Sequence, residues 1–242
     1  MSTALCVGVA GLAVWNPTDA GRPQPSILPP NERRRAPDTV AVALEVAQAA
    51  CLNAGRDPAQ LPTVFASTYG DLAITDYMCS TLARAPLTLS PTRFHNSVHN
   101  AAAGYWSIAT GSRQPYCALG AGRYTFAAGL FAAALQVCAD GIDVLLVAYD
   151  IDARGTQAQI TASRGILGAA LVLSAAPQGA RTVLDLEVRE QARAPLSGEA
   201  AEPANAMAAC LPLMAALQRP APGLVSLALG PTSRLDVSLR CC

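Results

Sequence analysis

The side chains of this 242-residue chain that could do chemistry gather in two stretches, residues 90–111 and 114–150. The only two histidines, His95 and His99, stand four residues apart with Ser97 between them. On one helix their rings would share a face and could hold a metal or act as a general base. No acidic residue lies near in sequence to orient such a base, and the hydrolase elbow G-x-S-x-G is absent. Asn96 and Asn100 point instead to capping and turn roles, with the histidines in ordinary hydrogen bonds.

The second stretch contains a strand-to-helix turn, where many enzymes place a nucleophile because a helix N-terminus stabilises negative charge. Tyr116–Leu119 is a short apolar run, and Gly120-Ala121-Gly122 permits a sharp turn and close backbone approach. The architecture of a reactive site is present there without a reactive atom. Cys117 is the only thiol nearby, and it reads as a buried core thiol or as a displaced nucleophile. Arg123 is the odd charge in an apolar neighbourhood, either a partner for a carboxylate across an interface or a helix-start residue reaching solvent. A cation there opposes the helix dipole.

Alternating β and α patterns must position these groups. Leu5–Trp15 reads as a first strand in a mixed sheet, and residues 16–37, rich in proline, as a surface excursion. Asp38 is expected to cap a nearly all-buried helix that ends at Gly55. A strand over 63–67, a helix over 71–83 and an extended 87–90 follow. The helix after Asn100 ends at Gly111 and carries Ala101, Ala102, Ala103 and Gly104, so another backbone must pass close to it. A buried helix over 123–139, stopped by Gly141, leads into a continuous apolar strand over 142–149. Strands over 168–174 and 182–189 are joined by a turn at 177–179, and 193–203 is a loop. A helix over 205–217 precedes strands over 224–229 and 234–240. This α/β alternation predicts a layered fold with helices on both sheet faces.

Composition excludes several functions. Seventeen basic and seventeen acidic residues balance, which gives no electrostatic case for nucleic acid, and the run Arg33-Arg34-Arg35 reads as a solvated loop. Every basic residue is arginine, which rules out Schiff-base chemistry and a phosphate-binding lysine of Walker type. Eight scattered cysteines without a C-x-x-C pair speak against a zinc site or a disulfide framework and for free thiols in a reducing cytoplasm. No apolar run reaches membrane-spanning length. No metal and no cofactor are expected.

The order of these pieces resembles the thiolase-type fold, and in particular the N-terminal half of a β-ketoacyl synthase. Residues 91–111 resemble the ketosynthase segment with Pro, Phe, Asn and a small-residue helix, and 114–134 its nucleophile strand and turn. Residues 165–188, GILGAALVLSAAPQGARTVLDLEV, resemble its later hairpin. The run Phe94-His95-Asn96-Ser97-Val98-His99-Asn100 followed by Ala-Gly-Tyr-Trp is the most specific part. It is similar to a short ketosynthase-like family of polyene pigment pathways, in which one subunit pairs with a true ketosynthase as chain length factors do. The resemblance implies one ketosynthase-like domain over 1–242, with the N-terminal half of the fold at about 1–160 and a partial second half at 161–242.

The departures from that family decide the reading. The resemblance puts Leu119, or Gly120, where a ketosynthase has its cysteine, and Leu229 where it has the first histidine. The second histidine and the lysine belong to a C-terminal half that this chain lacks. The resemblance therefore implies a non-catalytic subunit of chain-length-factor type, paired in the cytoplasm with a catalytic ketosynthase and reached by an acyl carrier protein through that complex. Phe94, His95, His99, Asn100, Tyr105, Trp106 and Arg123 are the candidate interface or tunnel residues, and Leu119, Gly120 and Gly122 form the degenerate turn. Two other readings stay open: an acyltransferase or hydrolase using Ser97/His99 or Cys117, and a homodimeric scaffold that binds an acyl carrier protein through its arginines.

Overall fold

The computed structural model describes residues 4–241 except 17, 20, 160, 162, 177–179 and 192–204. The expected turn at 177–179 and most of the expected loop at 193–203 lie outside the described residues. Among the described residues, eight strands form one mixed sheet in the order β3-β2-β4-β5-β1-β6-β8-β7. They are β1 (Leu5–Trp15), β2 (Thr63–Ala66), β3 (Tyr116–Leu119), β4 (Val144–Asp150), β5 (Leu167–Ser174), β6 (Thr182–Glu190), β7 (Gly223–Ala228) and β8 (Ser233–Cys241). β2 runs parallel to β3 and β4, and every other neighbouring pair is antiparallel.

The strands that sequence reads as continuously apolar are covered on both faces. Along β2, Val64 and Ala66 face one core and Phe65 the other. Along β4, Val144, Leu146 and Ala148 alternate in the same way with Leu145, Val147 and Tyr149. The first core is covered by α6 (Thr125–Asp140) and α7 (Leu211–Gln218), and the second by α2 (Asp38–Ala54) and α5 (Ala101–Thr110). Both faces of a parallel segment must be buried in this way, because neither presents polar side chains to water.

Three local expectations are corrected. Asp38 is the first residue of α2 rather than its cap; Pro37 holds the cap position, and the Asp38 carboxylate takes the Arg22 guanidinium at 2.7 Å. Residues 86–88 form a 3-10 turn rather than extended chain. The excursion between β1 and α2 contains a short helix, α1 (Pro30–Arg35), whose flanking residues Leu28 and Ala36 are buried. The remaining helices are α3 (Leu72–Arg84) and α4 (Pro91–His95). Among the described residues, no helix is long and apolar enough to cross a membrane.

Candidate functional site

β2, β3 and β4 run in one direction, and their carboxyl ends bring together Ser67–Gly70, the turn after Leu119, and Asp150. Open α/β sheets bind ligands at such ends. Asp150 is buried, and its carboxylate accepts from the Ser67 hydroxyl at 2.8 Å, from the Thr68 N–H at 3.0 Å and from the Tyr69 N–H at 3.3 Å. The Ser67 hydroxyl oxygen in turn accepts from the Gly70 N–H at 2.9 Å. Burial pushes the Asp150 carboxyl above its ordinary range, although these donors pull the other way. The buried Asn205 closes the far side by donating to Arg164 O at 3.1 Å and Gly165 O at 2.9 Å. Sequence reasoning missed Ser67, Asp150 and Asn205, because their partners lie 40 to 83 residues away.

Residues 119–123 of the turn into α6 are Leu, Gly, Ala, Gly and Arg, none with a nucleophilic side chain. Gly122 adopts φ of 56°, in the left-handed region. The Thr125 hydroxyl accepts from the Ala121 N–H at 2.9 Å and donates to the Gly122 carbonyl at 2.7 Å. Both of its hydrogen-bonding roles are therefore taken by the turn itself. Leu119 packs against the first core, and Arg123 is exposed with its guanidinium carbon 6.0 Å from the Tyr124 ring centre. Leu229 follows β7, at the opposite end of the strand order from β3.

Cys117 is not a core thiol. It is exposed on β3, an edge strand, opposite Val64 and so on the sheet face of α6. Tyr116, one residue earlier, faces the other side and takes the Asn100 amide on its hydroxyl at 3.0 Å. Cys117 therefore lies on the face opposite the one on which Asn100 meets Tyr116, and it forms no dyad with either histidine. Among the described residues, no group of three His, Cys, Asp or Glu side chains could hold a metal ion.

The histidine segment also departs from expectation. His95 ends α4 and His99 lies in the following turn, so they share no helix. His99 Nε2 lies 2.9 Å from the Ser67 carbonyl oxygen, while the Ser97 hydroxyl donates to Phe94 O at 2.7 Å. Ser97 and His99 are thus not hydrogen-bonded to each other, each side chain being engaged by a different backbone carbonyl. Asn100 occupies the cap position of α5 without a side-chain cap bond, its amide being turned to Tyr116. Trp106, expected at an interface, is 1% exposed and belongs to the second core. The helical period turns it inward while its neighbour Tyr105 stays half-buried toward the surface. Phe94 is 59% exposed and Ile108 83%. A groove of about 510 Å³ between α1 and α4–α5 gathers His95, Val98, Asn100, Gly104, Tyr105 and Ile108.

Residues 11–222 match the family of the β-ketoacyl synthase N-terminal domain. Among solved structures, a ketosynthase in complex with its chain length factor from Xenorhabdus doucetiae matches at 20% identity and a TM-score of 0.71, over 93% of this chain and 86% of that one. The ishigamide ketosynthase/chain length factor matches at 16% identity and a TM-score of 0.70, over 98% of this chain and 99% of that one. A 3-oxoacyl-[acyl-carrier-protein] synthase III from Aquifex aeolicus matches at 12% identity and a TM-score of 0.54, over 97% and 99%. No curated protein matches the chain. At these identities the likeness is one of fold, and it bears out the layered thiolase-like architecture expected from the sequence.

Proposed function

The chain belongs to the β-ketoacyl synthase family, and from that premise we propose that it is a non-catalytic, ketosynthase-like subunit that pairs with an active ketosynthase and limits the length of its acyl product. The pairing rests on one observation above all. Among the described residues β3 is an unpaired sheet edge, and Phe94, Val98, Ile108 and Tyr116, on β3 itself and on the segment that packs beside it, leave large apolar side chains in solvent. Exposed edges and contiguous apolar patches are surfaces that soluble proteins cover. A partner laid against this face would bury the patch and complete the edge strand's hydrogen bonds.

The missing catalysis rests on the turn into α6, where Leu119, Gly120 and Gly122 offer no nucleophile and Thr125 is spent on the backbone. A subunit of this kind acts by shape. Phe94 and Tyr105 would close the far end of the partner's acyl tunnel, and the bulk they present would set how many extensions fit. An acyl carrier protein would reach the chain through the complex. The seven described cysteines are all free, which fits a cytoplasmic setting.

Co-expression with a full-length ketosynthase tests the pairing. The two chains are expected to elute as one complex, with an interface upwards of roughly 2,000 Å². Elution as a homodimer indifferent to the ketosynthase would favour the scaffold reading instead. A stoichiometric acyl adduct on this chain after incubation with an acyl thioester would overturn the non-catalytic half.

A further inference from the structure

Charge is spread unevenly along the chain. From Tyr77 to Ala139 the sequence has four arginines, Arg84, Arg93, Arg113 and Arg123, and no aspartate or glutamate, although seventeen basic and seventeen acidic residues balance overall. This stretch supplies α4, α5, the edge strand β3 and most of α6, and with them the exposed side chains of Phe94, Val98, Ile108 and Tyr116. All four arginines are exposed, and the ion pairs among the described residues use other arginines. Two of the four are nevertheless held in place or in need of a partner. The Arg93 guanidinium carbon stands 4.0 Å from the Tyr77 ring centre, and the Tyr77 hydroxyl is itself fixed by the Ser90 N–H at 2.9 Å. Arg123 stands two residues before α6, where a cation opposes the helix dipole and no carboxylate of the described residues pairs with it. A carboxylate from another chain would offset that.

We infer that the two ends of β3 select the partner by charge: they fit an edge strand flanked by carboxylates and repel a second copy of this chain. β3 spans only Tyr116–Leu119, with Arg113 three residues before it and Arg123 four residues after it. Two copies joined edge to edge about a two-fold axis would run antiparallel, with Tyr116 of one opposite Leu119 of the other. The same register brings Arg113 to within one residue of the second copy's Arg123, at both ends of the pair. Like charges so placed oppose association, whereas carboxylates at the same two places attract. The apolar side chains around the edge serve any partner, so the charges decide which one is accepted. The inference rests on pairing with a ketosynthase, whose edge strand it describes, but the repulsion of a second copy belongs to this chain alone.

Arg113→Glu tests it on the full-length chain, because in a two-fold pair it sets a carboxylate beside Arg123 at both ends. Sedimentation velocity of the chain alone at low salt should show Arg113→Glu self-associating on the order of tenfold more tightly than the parent. Arg123→Glu should do the same by symmetry. High salt should erase the gain, and so should Arg113→Glu/Arg123→Glu, which restores like charges. Self-association of the parent as tight as that of both single variants overturns the inference. With the co-expressed full-length ketosynthase, Arg113→Glu/Arg123→Glu should bind on the order of tenfold more weakly than the parent, by a margin that narrows as salt rises. An unchanged affinity of the double variant overturns selection by charge and leaves the pairing standing. If the parent does not bind the ketosynthase at all, the pairing reading fails. The comparison of the single variants with the parent alone then still decides whether this edge repels a second copy.

Discussion

The carboxylate of Asp150 accepts the hydroxyl proton of Ser67 across 2.8 Å, joining the ends of β4 and β2 in a buried contact between residues 83 apart in sequence. Thr68 and Tyr69 add their backbone N–H groups to the same carboxylate. Asp150→Ala would leave the buried Ser67 hydroxyl without its acceptor, at about 1–3 kcal/mol, and would also free the half-buried Thr68 and the more exposed Tyr69 N–H groups. We expect a fall in melting temperature on the order of 10 °C, and disorder in Ser67–Gly70 visible as faster amide exchange there. Ser67→Ala should cost less, because the two backbone donors keep their acceptor. Equal stability of Asp150→Ala and the parent chain would refute the clamp.

Gly122 provides a second test, and it acts through conformation rather than packing. The tight packing expected around it is not found: a Cβ at position 122 would meet nothing within 4 Å, but φ is 56°. Gly122→Ala should therefore cost about 1–2 kcal/mol, the penalty of the left-handed region for an L-residue. Gly122→Val should cost more and Gly122→Asn less, since asparagine tolerates that region. Chemical denaturation of the three variants checks the order. A cost that followed side-chain volume without sparing asparagine would point to a packing role.

Sequence legibility divides along the range of the interaction. The bounds of β1, β3 and α2 are readable because they depend on local patterns: alternation up to Trp15, the apolar run ending at Gly120, and Gly55 stopping a helix. The turn without a nucleophile is readable because it is a matter of composition over a few residues. Long-range contacts leave no such trace. Nothing near Asp150 announces Ser67 or Asn205, nothing near His99 announces the Ser67 carbonyl, and nothing near Asp38 announces Arg22. Trp106 misleads for a related reason. A large aromatic beside Tyr105 looks like a surface anchor until the helix phase set by Ala102 and Ala103 turns it into the core.

Acid should weaken the fold partly through Asp143. Desolvation pushes its carboxyl up, but the Arg56 guanidinium at 2.8 Å, the Ala175 N–H and Ser174 more than offset this and hold it below its ordinary value of 3.8. The folded state thus releases this proton more readily than the unfolded chain. The contribution is fully present above pH 3.8 and is lost as pH falls through the lower, folded value. Thermal melts from pH 6 downward on the parent and Arg56→Ala should converge toward the acid end. A gap that persisted undiminished at the lowest pH where both fold would remove the pair as its cause.

The last prediction separates the seam from the core within a single helix. Trp106 and Ile108 are two residues apart on α5, one 1% exposed and the other 83%. Trp106→Ala removes a buried ring and should cost about 3–5 kcal/mol, unfolding the chain whether or not a ketosynthase is present. Ile108→Asp and Phe94→Asp place a charge where only a partner would exclude water. The isolated chain should keep its melting temperature, while the complex should dissociate because a buried unpaired charge is costly. Phe94→Ala keeps the surface apolar but removes bulk, so the complex should survive and its products lengthen if this ring closes the tunnel. Size-exclusion of the co-expressed pair and chain-length analysis of the products read both outcomes. A complex indifferent to Ile108→Asp and Phe94→Asp would move the seam away from α4–α5. Dissociation without any change of product length in Phe94→Ala would keep the pairing and end the role of Phe94 in measuring the chain.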